Sequence, residues 1–279
     1  MNFIDGEIIC IDKPLGWTSF DAVSRVRSAI SRRTGIKKIK VGHAGTLDPL
    51  ATGVIILTTG RYTRRIEELQ AGIKEYVATI AIGATTPSFD LETEIDATMA
   101  ADHVTEDMVR EALKRFTGCI EQIPPAYSAI KVGGKRAYEA ARKGQTVELK
   151  PKVLVIDEIE LLDFRPSGQT PETGADADAG DPASRSVRRR ISPLHATLAS
   201  ARIRVLCSKG TYIRALARDI GLALGSGAHL TALRRTRVGD VTEADCMSVQ
   251  QVADMIARCP VEFPDDLIPH RDPLPAITD

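Results

Sequence analysis

The chain has 279 residues, 43% hydrophobic and 27% charged, values of an ordinary globular protein that exclude a wholly disordered, collagen-like or coiled-coil chain and leave length for one large domain or two small ones. Lysine plus arginine and aspartate plus glutamate each number 37, and a net charge of zero, taken alone, argues against a nucleic-acid partner. No apolar run approaches the roughly 18 residues of a membrane span and the first twenty residues lack the pattern of a signal peptide, so a cytoplasmic protein without membrane contact is expected.

Residues 7–12 (EIICID) read as a short buried strand, followed by a turn at Lys13-Pro14 and a helix opening at Thr18. Thr18 and Asp21 have the spacing of a capping box, and Phe20, Val23, Val26 and Ile30 recur at helical spacing as the expected buried side. Residues 54–58 (VIILT) are a β-branched run typical of a central strand, and 76–82 alternate as a second strand. A helix over 105–116 capped by Thr105, a short basic helix over 135–143 stopped by Gly144, and strands over 153–164 and 199–207 follow. Between those two strands, residues 165–195 are rich in Gly, Pro, Ala, Asp and Ser and cannot bury a core, so a disordered insertion at about 165–196 is expected. Helices are predicted over 212–224, 231–237 and 249–257. Strands and helices mix without strict βαβ alternation, which predicts an α+β protein on a mostly antiparallel sheet.

The charge is unevenly arranged. Residues 22–47 hold seven basic side chains and no acidic one, 131–152 hold seven against two, and 202–237 hold eight against Asp219 alone. Any one run is compatible with a solvated helix face, but three together favour a phosphate backbone as partner. The five cysteines (Cys10, Cys119, Cys207, Cys246, Cys259) are scattered and never at CxxC spacing, so buried thiols are expected instead of a disulfide framework or a zinc site. The five histidines are isolated from one another in sequence, and Gly133-Gly134-Lys135 lacks the rest of a P-loop. Chemistry without metal, cofactor or nucleotide is therefore expected.

Two blocks carry candidate chemistry. In VGHAGTLDPLATGVI (41–55) the single acid, Asp48, sits in a glycine-rich loop before Pro49, between a basic stretch and an apolar strand. An Asx-turn or cap is the commonest job of such an aspartate; the functional alternative is a lone carboxylate nucleophile in a positive groove, where an arginine would keep it charged and oriented. In CSKGTYIRALAR (207–218) Arg214 is that candidate partner, or else a surface arginine on a basic helix.

GHAGTLDPLATGVI, the early DKPLGWTSFDAV, the middle QIPPAYSAIKVGGKRAYEAARKG, and CSKGTYIRALARDIG followed by GSGAHLTALRRTRVG resemble, in that order, the TruB family of bacterial tRNA pseudouridine-55 synthases. The resemblance covers about residues 5–250. It implies the pseudouridine synthase fold, a curved mixed sheet with flanking helices, and isomerisation of the T-loop uridine of tRNA by base flipping without a cofactor. By this match Asp48 is the nucleophile, attacking C1′ or C6 or assisting glycal formation, a choice the sequence leaves open. Arg214 is its partner, and Tyr76 is the aromatic that packs on the flipped base and can help move a proton. Tyr212 and Leu233 line the base pocket, His43 enters the T-loop, and Lys13 meets phosphate or supports the loop.

The chain departs from the family pattern in three places. Thr86-Pro87-Ser88-Phe89-Asp90 replaces a Thr-Asp-Thr-x-Asp run, the 165–196 insertion with Arg188-Arg189-Arg190 is long, and residues 251–279 are too few for an RNA-binding domain of the PUA type. The expected organisation is thus a catalytic domain over 1–250 with a short extension, acting as a monomer on tRNA with salt-sensitive binding. A guide-RNA-dependent pseudouridylase and a tRNA-folding chaperone with incidental catalysis are the alternative readings.

Overall fold

The computed structural model describes residues 1–128, 130–132, 134–145, 147–169 and 193–262. Strand β1 (Ile8–Lys13) leads into helix α1 (Ser19–Thr34), then β2 (Val41–His43), β3 (Ala51–Thr59), a 3-10 turn (Gly60–Arg65), α2 (Ile66–Ala71) and β4 (Lys74–Ile82). Short strands β5 (Ala84–Thr85) and β6 (Ala97–Thr98) precede α3 (Glu106–Lys114), β7 (Gly118–Gln122), β8 (Lys131–Val132), β9 (Lys135–Arg136) and α4 (Ala137–Ala141). The chain continues with β10 (Lys152–Arg165), α5 (Pro193–Thr197), β11 (Ala199–Cys207), α6 (Ile213–Ala223), β12 (Ala228–Val238), β13 (Val241–Thr242), β14 (Met247–Ser248) and α7 (Val249–Arg258).

Ten of the described strands form one sheet in the order β14-β1-β3-β12-β4-β11-β10-β7, with β2 on β3 and β13 on β12. Pairing in that sheet is antiparallel except for β1 with β14 and β3 with β12. β3 is buried along nearly its whole length, as its apolar run predicts, whereas the first residues of β4 alternate between buried and half-buried. Helices α1 and α7 pack on each other and on the β1 and β2 end, while α3 and α6 cover the end built from β4, β10 and β12. The expected α+β class with a mostly antiparallel sheet is what the chain adopts.

Several expectations need correction. Residues 231–237 belong to strand β12, not to a helix: the segment lies between β3 and β4, where the backbone groups of both neighbours need partners, and that overrides the helical preference of Leu and Arg. Two β-bulges interrupt its alternation, which hid the strand pattern. The basic helix is only Ala137–Ala141, because Lys135–Arg136 pairs with Lys131–Val132 in a hairpin. Phe20 is 61% exposed: the buried stripe of α1 runs through Ser19, Ala22, Val23, Val26, Ala29 and Ile30, and Phe20 sits one position off it. Cys119 is exposed on an outer strand, whereas the other four cysteines are buried or half-buried. Residues 170–192, with the expected disorder of the insertion and its arginine run, and residues 263–279 lie outside the described residues.

The histidines are not all isolated in space. His195 of α5 is buried against the fully buried His229 of β12, with Nε2 to Nε2 2.9 Å, and His229 Nδ1 lies 2.9 Å from the Ala84 carbonyl. A carbonyl only accepts, so Nδ1 of His229 carries a proton and its Nε2 accepts from His195. Burial is the main force lowering the His229 pKa below the ordinary value of 6.5. The unfolded chain therefore takes up a proton below that value which the folded chain refuses. Stability from this pair is complete above pH 6.5 and falls as pH drops toward the lowered value. Thermal melts followed by circular dichroism at about pH 7.5 and about pH 5.5 test this: the acid-induced fall in melting temperature is smaller in His229→Gln than in the parent chain, and equal falls would refute the assignment.

Candidate active site

The loop between β2 and β3 holds Asp48, and it is tied down from four sides. Gly16 N–H donates to the Pro49 carbonyl at 2.8 Å and Ala44 N–H donates to the Ile56 carbonyl at 2.8 Å. The buried Ser19 hydroxyl accepts from Leu47 N–H at 2.8 Å and donates to the Leu47 carbonyl at 3.1 Å. From β12, the buried Arg235 donates to the carbonyls of Val54 at 2.8 Å, Gly45 at 3.2 Å and Thr46 at 3.4 Å. Among the described residues Arg235 makes no ion pair with a carboxylate; backbone carbonyls of the loop and of β3 accept from its guanidinium.

Across the site, α6 delivers Arg214, and its Nε lies 2.9 Å from Asp48 Oδ2. Arg214 is buried, with 5% side-chain exposure, so the surface-arginine alternative falls, and Asp48 is an ion-paired loop carboxylate, 37% exposed. Nη1 donates to the Ser88 carbonyl at 3.1 Å and Nη2 to the Tyr127 carbonyl at 2.9 Å. A second carboxylate, Asp90, lies 3.7 Å from the same Nε. Asp90 is buried and accepts from Ser88 Oγ at 2.6 Å and Glu92 N–H at 2.8 Å; burial raises its pKa, with Arg214 opposing. The two acids are unequal: Asp90 is the inner support of the arginine, and Asp48 is the one open to a reacting molecule.

Beside Asp48 a cavity of about 20 Å³ is lined by Asp48, Arg214 and Asp90 and by the apolar Leu50, Leu91, Leu230 and Leu233. Tyr76 of β4 is buried with Arg235 as hydrogen-bond partner, and burial raises the pKa of its phenol. Tyr212 caps α6 and is held by Gln122, which accepts from Tyr212 N–H at 2.9 Å and donates to its carbonyl at 3.2 Å. His43 stands on β2 at the entrance to the loop, its pKa lowered first by burial and then by Arg235. Lys13 is fully buried, with Nζ donating to the carbonyls of Trp17 at 2.6 Å and Pro14 at 3.0 Å. Those bonds hold the turn that follows β1, and burial lowers the Lys13 pKa to about 8.

Asp48, Arg214 and Leu233 thus meet at one cavity, with Tyr76 and His43 reached through Arg235. Arg235 and the role of Asp90 escaped the sequence reading. The signal for Arg235 was present: in a strand, Leu233 and Arg235 share a face, and only the helical assignment separated them.

Similar proteins bear on this geometry. Residues 32–180 match the family model described as TruB family pseudouridylate synthase, N-terminal domain, and residues 214–267 match the tRNA pseudouridylate synthase B C-terminal domain. Proteins named tRNA pseudouridine synthase B from Phocaeicola vulgatus and Bacteroides thetaiotaomicron are each 56% identical, over 94% of this chain and 98% of the first protein, and over 95% and 99% for the second. Among solved structures, a chain of a Cbf5-Nop10-Gar1 complex is similar with a TM-score of 0.59 and 27% identity, over 91% of this chain and 55% of that one. The chain spans about half the length of that solved chain. Fold and loop together define a pseudouridylate synthase. Within that class, the chain belongs to the TruB family.

The close contact of β3 with β12 generates a stability prediction. Gly53 has φ +101°, and a Cβ there would overlap the Arg235 carbonyl. Gly53→Ala is expected to lower stability by on the order of 3 kcal/mol in urea unfolding, through strain and separation of the two strands. A change below about 0.5 kcal/mol would contradict the contact.

Proposed function

We propose that the chain isomerises uridine 55 in the T-loop of tRNA to pseudouridine, as a stand-alone cytoplasmic monomer, with Asp48 as nucleophile and no cofactor. The observation that carries the reading is the Asp48–Arg214 pair at 2.9 Å, set beside an apolar cavity on a pinned loop. The identity to proteins named tRNA pseudouridine synthase B over nearly their whole length supports the stand-alone enzyme over the guided alternative. Residues 1–250 form the catalytic domain in this proposal, and residues 251–279 a short extension that begins within α7, which is docked on α1.

The reaction breaks the N1 to C1′ bond, turns the uracil and joins C5 to C1′; the hydrogen on C5 leaves as a proton and N1 gains one. Atoms and electrons balance without an external reactant. Asp48 acts on the sugar or the base, oriented by Arg214. Leu233 and Tyr212 flank the extruded base, and Tyr76, whose phenol stays protonated, packs against it and can relay a proton. His43, neutral near pH 7 by its lowered pKa, fills the place left in the T-loop. Lys13 supports the turn over residues 14–17 through the Pro14 and Trp17 carbonyls.

Tritium release from uracil C5 of an unmodified tRNA transcript, without metal or nucleotide, tests the proposal. The parent chain releases tritium, and Asp48→Asn lowers the rate by at least about a thousandfold while retaining RNA binding. No release by either chain despite tight binding would favour the guided or chaperone reading. Arg214→Lys provides a second test. An ammonium lacks the planar fork that reaches the Asp48 carboxylate and the Ser88 and Tyr127 carbonyls from three nitrogens, so kcat is expected to fall about a hundredfold with KM changed much less.

A further inference from the structure

The three basic runs have different fates. Residues 202–237 are largely neutralised within the chain: Arg204 pairs with Glu75, Glu158 and Glu160, Arg218 with Asp219, and Arg234 with Asp12 and Glu243, while Arg214 and Arg235 are buried in the site. Residues 22–47 are not. Two hollows of about 550 and 600 Å³ share Lys38, Ile39, Lys40 and Thr63 and form a groove between the segment entering β2 and the 3-10 turn. Its walls carry Arg27, Lys37, Lys38, Lys40, Arg61 and Arg64 and no acidic residue.

Arg61 is paired with Asp5 at 3.0 Å. Lys37, Lys38, Lys40 and Arg64 are exposed, and their side chains make no ion pair or hydrogen bond among the described residues. Arg27 donates to the Val41 carbonyl at 3.1 Å and lies 5.8 Å from the ring centroid of the exposed Phe20, so a planar cation–aromatic pair faces solvent at the rim. Val41 and Gly42 line the groove, and the next residue is His43.

We infer that this groove is a docking surface for the phosphodiester backbone of the substrate RNA, beyond the loop that carries the target uridine. The inference rests on the proposed reaction for the identity of the RNA. Four unpaired cations along an open groove match a ligand whose charge repeats along its length, and a solvent-facing Phe–Arg pair suits a ribose or an unstacked base. The position follows from chain continuity: RNA that reaches His43 has its flanking backbone beside Val41 and Gly42.

A chain carrying Lys37→Ala, Lys38→Ala, Lys40→Ala and Arg64→Ala together tests it, with Arg202→Ala plus Lys209→Ala as a control that removes exposed cations elsewhere. Anisotropy of a labelled, unmodified tRNA transcript is followed from low to high salt. The groove variant is expected to raise Kd at least about tenfold and to flatten the slope of log K against log salt by about two to four, with kcat at saturating RNA within about twofold of the parent. The control keeps Kd within about twofold. Single substitutions each flatten the slope by up to about one, so the test does not depend on the fourfold variant folding. Unchanged Kd and slope in the groove variant, or an equal loss in the control, would overturn the inference. Product formation by the parent chain on the same transcript reports separately on the reaction.

Discussion

A guanidinium withdrawn from water has to find acceptors for its N–H groups within the protein, and the site is organised by that requirement at two positions. Arg235 takes its acceptors from the backbone at the start of the loop between β2 and β3, the carbonyls of Gly45 and Thr46, and from Val54 within β3. Satisfying one side chain therefore ties the start of the loop to the strand that follows it. Asp48 inherits a fixed position from this and from its neighbour Leu47, which is buried in the main core and bonded to Ser19. Arg214 works from the opposite side, where two carboxylates and two carbonyls surround its guanidinium. The loop is thus held by one cation through its backbone and by another through its reactive side chain.

The sheet topology follows the same demand. β12 is parallel to β3 over only three residues, Leu233 to Arg235 against Ala51 to Gly53, and antiparallel to β4 along nearly its full length. That short parallel contact brings Arg235 under the loop and Leu233 to the cavity wall. It requires β3 to present almost no side chain where the two backbones meet, and Gly53 with its positive φ meets the requirement. On the far side, Ser88 and Glu92 turn Asp90 toward Arg214, so the segment that departs from the family pattern at Thr86 to Asp90 retains the carboxylate that braces the arginine.

What the sequence made legible divides along physical lines. Elements defined by local signals were readable: the capping box at Thr18 and the strands β10 and β11 lie within a residue of where patterning puts them, and the apolar run of β3 is the core of a strand that begins three residues earlier. Asp48 and Arg214 were readable as candidates, since a lone acid among glycines and an arginine between apolar residues are unusual. Their contact was not, because it depends on a separation of 166 residues in sequence being closed by the sheet. β12 was misread because two bulges disrupt period-2 alternation and its Leu and Arg content favours helix; the decision was made by the neighbours β3 and β4, which no local window contains. The His195–His229 contact was invisible for the same reason.

Charge is where sequence and structure part most instructively. A run of like charges in sequence states nothing about surface potential until the acids that fold against it are known. The run with the most basic side chains, residues 202–237, supplies strands in the centre of the sheet, where Glu75, Glu158, Glu160, Asp12 and Glu243 come from other strands or turns to meet it. A central strand has neighbours on both sides and its cations are paired by them; the segment entering β2 has solvent on one side and keeps its lysines free. The zero net charge thus conceals an unneutralised basic groove, offset by acid placed elsewhere in the chain, in residues 90–111 and after Gly239. Attraction of a polyanion depends on the groove and not on the paired sheet, because close internal pairs present little field beyond the Debye length of about 8 Å at physiological salt.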